Sequence, residues 1–453
     1  MLIKITVENF KSFDAETEMT MITSSKIRDT KTLNHRVKVK NTSILKNAVI
    51  YGANASGKSN LVEAFRFIKL TLKYGLPLDC TQLFCKNKEE NEQRESSFEL
   101  QFSVGDSFYA YGFSVILSKR SLCGEWLYEL CQNGSAKKIF ERTENEKMSI
   151  NDVLKLSEVD RQRMSTYIDD FGESSNTLFL TEMNRNKKYE IGSELYVFKK
   201  VYDWLTNNII ILSPDEPITN FEYYYDNDSL EKVNRLIETF DTGITRVNIE
   251  EISAEELKNR LPKKIYESVM NKVSEAMHGP LGRGYRMTMR SNTSFFNIEG
   301  STDTEPKITT IRMNHGKSFF EFDFDDESDG TRRLFDLLDM LLIDSDDVVY
   351  VVDELERSLH PKLTQQFLKL FNDIHSDRHI QLIITTHEST IMDQSLFRRD
   401  EIWFIERDAD NKSKVYSLDK FKTRYDKALS KAYLEGRYGA IPVFKSFKYK
   451  EEE

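Results

Sequence analysis

The strongest constraint on the fold of this chain is a glycine-rich loop between an apolar run and a helical pattern. Residues 52–59 match the sequence G-x-x-x-x-G-K-[ST] in full. Residues 48–51 before the loop are typical of a buried strand. After the loop, apolar residues recur at helical spacing until Gly75 and Pro77. Such a strand–loop–helix unit holds phosphate groups, so the sequence predicts a site for a nucleoside triphosphate.

Each position of the loop has an expected role at the phosphates. Lys58 is expected to reach the β- and γ-phosphates, and Ser59 to offer its hydroxyl to Mg²⁺. The glycines let backbone N–H groups turn toward phosphate oxygens, and the start of the helix adds a favourable dipole. The other residues expected to line this ATP site are Gly52, Asn54, Ser56, Gly57 and Asn60.

Acidic residues and a histidine end two further apolar runs. Asp353 and Glu354 follow the run 348–352, which is typical of a buried parallel strand. The aspartate can hold the water shell of Mg²⁺, and the glutamate can orient or deprotonate the attacking water. His387 ends the run 381–386 and can donate a hydrogen bond to the γ-phosphate. We therefore expect ATP hydrolysis, with Glu354 and His387 catalytic and with Ser59 and Asp353 at the metal.

A serine and a glycine precede another helical pattern. Ser328 and Gly330 lie just before Leu334, Leu338 and Leu341, which recur on one helical face. A serine and a glycine at the start of a helix form a small anion-binding cap, although the same residues also form ordinary turns.

In this order the motifs resemble the RecF/SMC/OLD branch of ABC-type ATPases. The resemblance rests on Asn-Phe-Lys-Ser-Phe at 9–13, the phosphate loop, Ser-x-Gly-Thr at 328–331, the string 353–361 and Thr-His at 386–387. The C-terminal stretch 433–442 further resembles RloA-like or AbiL-like stand-alone ATPases of bacterial antiphage defence. The middle of the chain matches this branch only loosely.

The resemblance implies a fold, partners and further site residues. The implied fold is α/β, an ABC-type P-loop ATPase head with a mixed core sheet, an antiparallel β lobe and a helical insertion. Ser328 and Gly330 then serve the nucleotide of a second subunit, in a homodimer or a higher homo-oligomer. Lys11 and Ser12 contact the phosphates or ribose, unless they belong to a solvated turn after the first strand. A separate effector from the same locus, a nuclease or a toxin, is the implied partner.

The sequence departs from this branch at one position. The branch carries a glutamine on a loop after a strand, where it completes the Mg²⁺ shell. We expect that strand at 178–180, but Asn184 follows it, and Gln101 lies within a strand pattern. Either Asn184 substitutes for the glutamine or the loop lies elsewhere, and hydrolysis is expected to be slow.

The pattern along the chain predicts three segments. These are an N-terminal ATPase lobe at 1–150, a mainly helical insertion at 151–290, and a C-terminal ATPase lobe at 291–453 that holds the signature, the acidic strand and the switch histidine. The 453 residues allow two or three folding units. No apolar run approaches the ~20 residues needed to span a bilayer. Four cysteines indicate free thiols in a reducing compartment, so we expect a cytoplasmic protein.

Two alternatives to a defence switch are a RecF-like ATPase that clamps DNA during repair and an OLD-type nuclease. The net charge of −10 argues against DNA binding. Two basic clusters leave nucleic-acid binding open, Arg185 with Lys187 and Lys188, and Arg283 with Arg286 and Arg290. A nuclease needs a further domain of ~100 residues, for which the chain after His387 is too short.

Overall fold

A computed structural model describes residues 1–27, 35–131, 133–143, 146–150, 154–171, 177–214, 224, 227–277, 285–290, 294–300, 305–421 and 429–442. The chain forms two compact units. Unit 1 consists of Met1–Ser213, Ser345–Leu355 and His375–Glu453, and unit 2 of Pro214–Asp344 and Glu356–Ile374. The three segments predicted from the sequence have other boundaries, and that division stays a prediction.

The strands are numbered in chain order through both units. Unit 1 contains β1 (Leu2–Glu8), β2 (Thr17–Thr20), β3 (Arg36–Val39), β4 (Thr42–Leu45), β5 (Asn47–Tyr51), β6 (Ser96–Val104), β7 (Ser107–Ile116), β8 (Ser121–Leu130), β9 (Ala136–Thr143), β10 (Glu146–Ile150), β11 (Ile209–Leu212), β17 (Val349–Val352), β18 (Gln381–Thr386), β19 (Ile402–Arg407) and β20 (Ser413–Ser417). Unit 2 contains β12 (Ile244–Ile252), β13 (Tyr285–Arg290), β14 (Phe295–Gly300), β15 (Lys307–His315) and β16 (Phe322–Asp323).

The helices are numbered in the same way. Unit 1 contains α1 (Lys58–Tyr74), α2 (Glu158–Phe171), α3 (Phe179–Asn184), α4 (Tyr196–Asp203) and α10 (Leu429–Leu434). Unit 2 contains α5 (Asn227–Ile237), α6 (Ala254–Arg260), α7 (Lys263–Met277), α8 (Asp329–Leu342) and α9 (Pro361–Ile374). In the parts of the chain that the structure describes, no helix combines the length and the apolar composition that crossing a membrane requires.

The core of unit 1 is a six-stranded mixed sheet in the order β11-β17-β18-β5-β19-β20. Its first five strands run parallel, and β20 returns antiparallel to β19. Every residue of β5, β17 and β18 is buried, as their continuous apolar runs predict. The predicted mixed core sheet is therefore confirmed.

A seven-stranded antiparallel sheet forms the second layer of unit 1, in the order β10-β9-β8-β7-β6-β1-β2. Helix α1 packs on this sheet through Phe67, whose ring centroid lies 4.9 Å from that of Phe98. One apolar cluster contains side chains of α1 and of both sheets. The antiparallel lobe predicted from the sequence is thus confirmed as well, and α1 is held by a continuous core.

Unit 2 contains a smaller antiparallel sheet in the order β12-β15-β14-β13, with β16 paired to β15. Its apolar cluster includes Leu257 of α6, Val273 of α7 and Ile298 of β14. The predicted helical segment therefore holds β11, β12 and β13 in addition to α2–α7.

Several of the basic residues named in the sequence are engaged in ion pairs. Lys187 lies 3.0 Å and Arg185 3.9 Å from Glu182, and Arg286 lies 3.2 Å from Glu299. Arg283 and the side chain of Arg290 lie outside the described residues. The cysteines, as predicted, are free thiols: Cys80, Cys85, Cys123 and Cys131.

Candidate functional site

The phosphate loop connects the end of β5 to the start of α1. Gly57 is the N-cap of α1, and Lys58 is its first residue. The Lys58 ammonium donates to the carbonyl oxygens of Gly52 at 2.9 Å and Ala53 at 3.2 Å. Lys58 is buried, whereas Ser59 is exposed. The loop therefore folds around the Lys58 side chain, and the adjacent Ser59 is exposed to solvent.

Close contacts explain why both loop glycines are needed. A Cβ on Gly52 would lie 2.4 Å from the carbonyl oxygen of Ile405. A Cβ on Gly57 would lie 2.4 Å from Ser413 Oγ and 2.7 Å from Ser12 Oγ. Gly57 also has a φ of 113°, which side chains other than hydrogen rarely allow. The loop backbone is thus packed against neighbouring segments at both glycines.

The turn after β1 lies against the phosphate loop. Ser12 is buried, and its Oγ accepts a hydrogen bond of 2.7 Å from Asn60 Nδ2 on α1. Lys11 has a φ of 50°, and its ammonium lies 3.8 Å from the Glu63 carboxylate of α1. The alternative of a solvated turn is therefore wrong for Ser12. Asn60 directs its side-chain nitrogen to Ser12, while Asn54 is exposed.

The acidic pair follows β17 and is held by the neighbouring strand β18. The Asp353 amide donates to the Leu212 carbonyl of β11 at 2.9 Å. Thr385 Oγ1 donates to the Asp353 carboxylate at 2.5 Å and accepts from the Glu354 amide at 2.9 Å. Glu354 has a φ of 49°, in the left-handed region. One buried hydroxyl thus fixes both the carboxylate of Asp353 and the backbone of Glu354.

Strand register brings these groups to one edge of the core sheet. Thr386, the last residue of β18, is paired with Tyr51, the last residue of β5. Val352 of β17 is paired with Ile384 of β18. Parallel neighbours lie about 4.8 Å apart, so the loop start, His387 and the acidic pair follow three adjacent strand ends. His387 is exposed at this edge.

The predicted signature lies in unit 2. Ser328 is the N-cap of α8, and its Oγ accepts a 3.1 Å hydrogen bond from the Thr331 amide. Ser328 is exposed. A Cβ on Gly330 would lie 2.6 Å from the Ser358 carbonyl oxygen, so a glycine is needed there by close packing. The apolar face of α8 is buried at Leu334, Leu338 and Leu341.

The strand expected at 178–180 is wrong, because α3 begins at Phe179. The buried Glu125 carboxylate accepts hydrogen bonds from the amides of Phe179 and Leu180, at 2.5 Å and 3.0 Å. A distant carboxylate at the helix start therefore overrides the local strand preference. The Asn184 side chain donates to the carbonyls of Leu180 and Phe198, so its nitrogen serves the packing of α3 and α4.

Sequence reasoning missed three features of this site. They are the Thr385 hydroxyl, the Ser413 hydroxyl and the edge strand β11 beside Asp353. The run 209–212 carries a signal for β11, since four apolar residues stand between two asparagines and Ser213-Pro214. Thr385 and Ser413 reach the site through pairing of distant strands, which leaves no local signal.

The C-terminal stretch 433–442 packs on the core sheet of unit 1. The Tyr433 ring lies 5.7 Å from Tyr51 and 5.7 Å from Phe404, and Tyr433 Oη donates to the Ala440 carbonyl. Tyr438 stacks on Phe404 at 5.8 Å. These contacts account for the aromatic residues of the stretch as packing against β5 and β19.

A family model described as "AAA domain, putative AbiEii toxin, Type IV TA system" matches residues 48–393. The match covers most of the chain and contains the phosphate loop, the signature, the acidic pair and His387. No curated protein matches the sequence.

Solved structures similar to this chain include heads of SMC proteins. An SMC head bound to the C-winged helix domain of ScpA is 14% identical, covering 92% of this chain and 99% of that one, with a TM-score of 0.41. An SMC head from Thermotoga maritima is 13% identical, covering 92% and 98%, with a TM-score of 0.35. An SMC head with an extended coiled coil from Pyrococcus furiosus is 13% identical, covering 96% and 99%, with a TM-score of 0.38. Scores this low do not decide a fold, which rests here on the observed strand order.

Proposed function

This chain belongs to the AAA_21 family of AAA domains, and on that premise we propose that it is an ATP-hydrolysing switch of a bacterial antiphage defence system. In this proposal it controls a separate effector, a nuclease or a toxin. Support for the defence role comes from the resemblance of residues 433–442 to RloA-like ATPases. The family description, which mentions an AbiEii toxin and a Type IV TA system, adds to that support.

The observation that carries the ATPase proposal is the convergence of three strand ends. A phosphate loop, an Asp-Glu pair and a histidine follow β5, β17 and β18, whose paired registers end at the same edge. Each of these groups alone has ordinary structural explanations. Their presence at one edge supplies an anion cradle, a carboxylate for metal and a base for water, which phosphoryl transfer requires together.

The phosphate loop binds the nucleotide in this proposal. The Lys58 ammonium, which now donates to two loop carbonyls, turns to the β- and γ-phosphate oxygens. Loop amides and the start of α1 donate to the remaining phosphate oxygens. Lys11 lies beside α1 with about a quarter of its side chain exposed, so its charge is available to phosphate or ribose.

Oxygen ligands available in the chain fit Mg²⁺. The exposed Ser59 hydroxyl and the Asp353 carboxylate are hard donors of the kind this ion prefers. No cluster of three histidine, cysteine, aspartate or glutamate side chains forms a metal site in the described ranges. Nucleotide phosphates and water would supply the other ligands of a bound Mg²⁺, which would neutralise phosphate charge.

Glu354 is the proposed base. Its amide is held by the Thr385 hydroxyl, and its carboxylate is the group that we expect to activate the attacking water. His387 donates to the γ-phosphate from the adjacent strand end. The glutamine of related ATPases has no counterpart at Asn184, whose side chain serves helix packing, so we expect slow turnover.

A second subunit completes the site in this proposal. Ser328 is exposed at the start of α8, where its hydroxyl and the first amides of the helix can meet the γ-phosphate of a partner's nucleotide. ATP then joins two copies, and hydrolysis separates them. The effector responds to this change only if it binds the two states with different affinity.

Deleting the gene and challenging cells with phage and with a DNA-damaging agent tests the biological role. We expect loss of phage resistance without damage sensitivity, and a requirement for a neighbouring gene. Deletion of a RecF-like repair ATPase would instead give damage sensitivity with unchanged phage resistance. Damage sensitivity with unchanged phage resistance would contradict the defence role and leave the ATPase proposal intact.

A further inference from the structure

A chain of hydrogen bonds connects α1, the turn after β1 and strand β20 to the phosphate loop. Asn60 Nδ2 lies 2.7 Å from Ser12 Oγ, and Ser12 Oγ lies 2.7 Å from Ser413 Oγ. Ser413 Oγ lies 2.5 Å from the carbonyl oxygen of Ser56 in the loop. Ser12 and Ser413 are both buried, so water does not compete for these bonds.

The Ser56 carbonyl is the acceptor for the Ser413 hydroxyl. A carbonyl oxygen can only accept, so the Ser413 hydroxyl hydrogen serves this bond. Asn60 donates to Ser12 Oγ, and Ser12 Oγ and Ser413 Oγ are hydrogen-bonded to each other.

We propose that Ser413 is a positioning residue that directs the Gly57 amide toward bound phosphate. In a trans peptide the C=O and the N–H point in opposite directions. Because the Ser56 oxygen points to Ser413 on β20, the Gly57 N–H of the same peptide points away from β20. This inference rests on the proposed nucleotide site and adds a residue from the far end of the chain to it.

The start of β20 is held in place by contacts with the turn after β1. The Ser413 amide donates to the Ser12 carbonyl at 2.8 Å, and Lys412 lies 3.1 Å from the buried Asp14 carboxylate. Asp14 also accepts from Asn91 at 2.8 Å. The serine is therefore anchored to the same turn as Ser12, which makes it a rigid support for the loop.

Two measurements on the full chain test this role. Ser413→Ala removes the hydroxyl and should weaken binding of MgADP about fivefold, the effect of one neutral hydrogen bond. The matched control is Ser417→Ala, because Ser417 is buried on the same strand and its hydroxyl accepts from the Asp419 amide within its own turn. That control should bind MgADP like the wild type, by calorimetry, while thermal unfolding shows whether both variants fold.

Magnetic resonance can observe the proposed amide directly. Ser56-Gly57 is the only Ser-Gly pair in the sequence, so carbonyl-¹³C serine with ¹⁵N glycine selects this peptide alone. MgADP should move the Gly57 amide proton downfield in the wild type and in Ser417→Ala, and much less in Ser413→Ala.

The outcomes separate this inference from the proposed function. If the wild type binds MgADP, and Ser413→Ala matches it in both affinity and Gly57 shift, the positioning role is wrong while the nucleotide site stands. If Ser413→Ala loses affinity but keeps the full Gly57 shift, the serine acts by another route and the inference is again wrong. If neither the wild type nor Lys58→Ala binds MgADP, the proposed function itself is wrong, and the inference with it.

Discussion

Thr385 connects the two acidic residues, and its replacement gives a quantitative test of the site. Thr385→Val keeps the side-chain shape but removes the donor to the Asp353 carboxylate and the acceptor for the Glu354 amide. A hydrogen bond to a charged group contributes about 1.5–3 kcal/mol. If the transition state needs both groups as they are held here, kcat should fall about tenfold to a hundredfold.

The assay is steady-state ATP hydrolysis with Thr385→Ser and Thr386→Val as companions. Thr385→Ser keeps the hydroxyl and should retain most of the activity. Thr386→Val is the matched control, since the neighbouring Thr386 is equally buried and its hydroxyl accepts from the Glu388 amide rather than contacting the acidic pair. A folded Thr385→Val with the kcat of the wild type would refute the claim that this hydroxyl organises the acidic pair.

Four further predictions follow from the same structure. Mixing Ser328→Arg with Lys58→Ala should restore about a quarter of the wild-type ATPase rate, because half of the random dimers hold one intact composite site; no recovery despite verified exchange would indicate a site within one chain. Gly57→Ala should abolish nucleotide binding in calorimetry, since φ strain and the contact with Ser413 add at one position. Asp14→Asn should lower stability to urea at pH 7, with the difference from the wild type shrinking toward about pH 3. Replacing the exposed Phe319 and Phe320 by serine should change thermal stability little, because neither side chain is buried.

The sign of the pH prediction comes from the surroundings of Asp14. Burial by itself would raise the pKa of this carboxyl, but hydrogen bonds from Asn91 and Lys412 and the charge of Lys88 lower it overall. The ionised group therefore stabilises the fold above its unfolded pKa of about 3.9, and this contribution is lost as the pH falls through the lower folded pKa. A difference that grows in acid would contradict this reasoning.

The sequence predicted those parts of the site whose structure depends only on residues nearby in the chain. The loop glycines, the apolar runs of β5 and β18 and the N-cap at Ser328 each depend on neighbours within a few residues. The phosphate loop and His387 lie at one edge of the sheet because β5 and β18, which precede them, run parallel. These elements were therefore predictable without any knowledge of tertiary contacts.

The remaining features depend on residues far apart in the chain. Glu125 caps the start of a helix at Phe179–Asn184 although residues 178–180 read as a strand, and Ser413 reaches the loop from 357 residues beyond Ser56. Thr385 meets Asp353 only because β18 pairs with β17. Hydroxyl groups have no spacing pattern that marks such contacts, so one sequence alone could not indicate them.

In the proposed ATP site, Lys58 binds the nucleotide and Glu354 activates the water that attacks it. Binding and hydrolysis of ATP should therefore be measured on the wild type, Glu354→Gln and Lys58→Ala in parallel. Glu354→Gln should bind MgATP like the wild type but lose nearly all turnover, because the amide keeps the shape of the side chain and cannot act as a base. Lys58→Ala should fail to bind. Hydrolysis by Glu354→Gln at the wild-type rate would show that Glu354 is not the base.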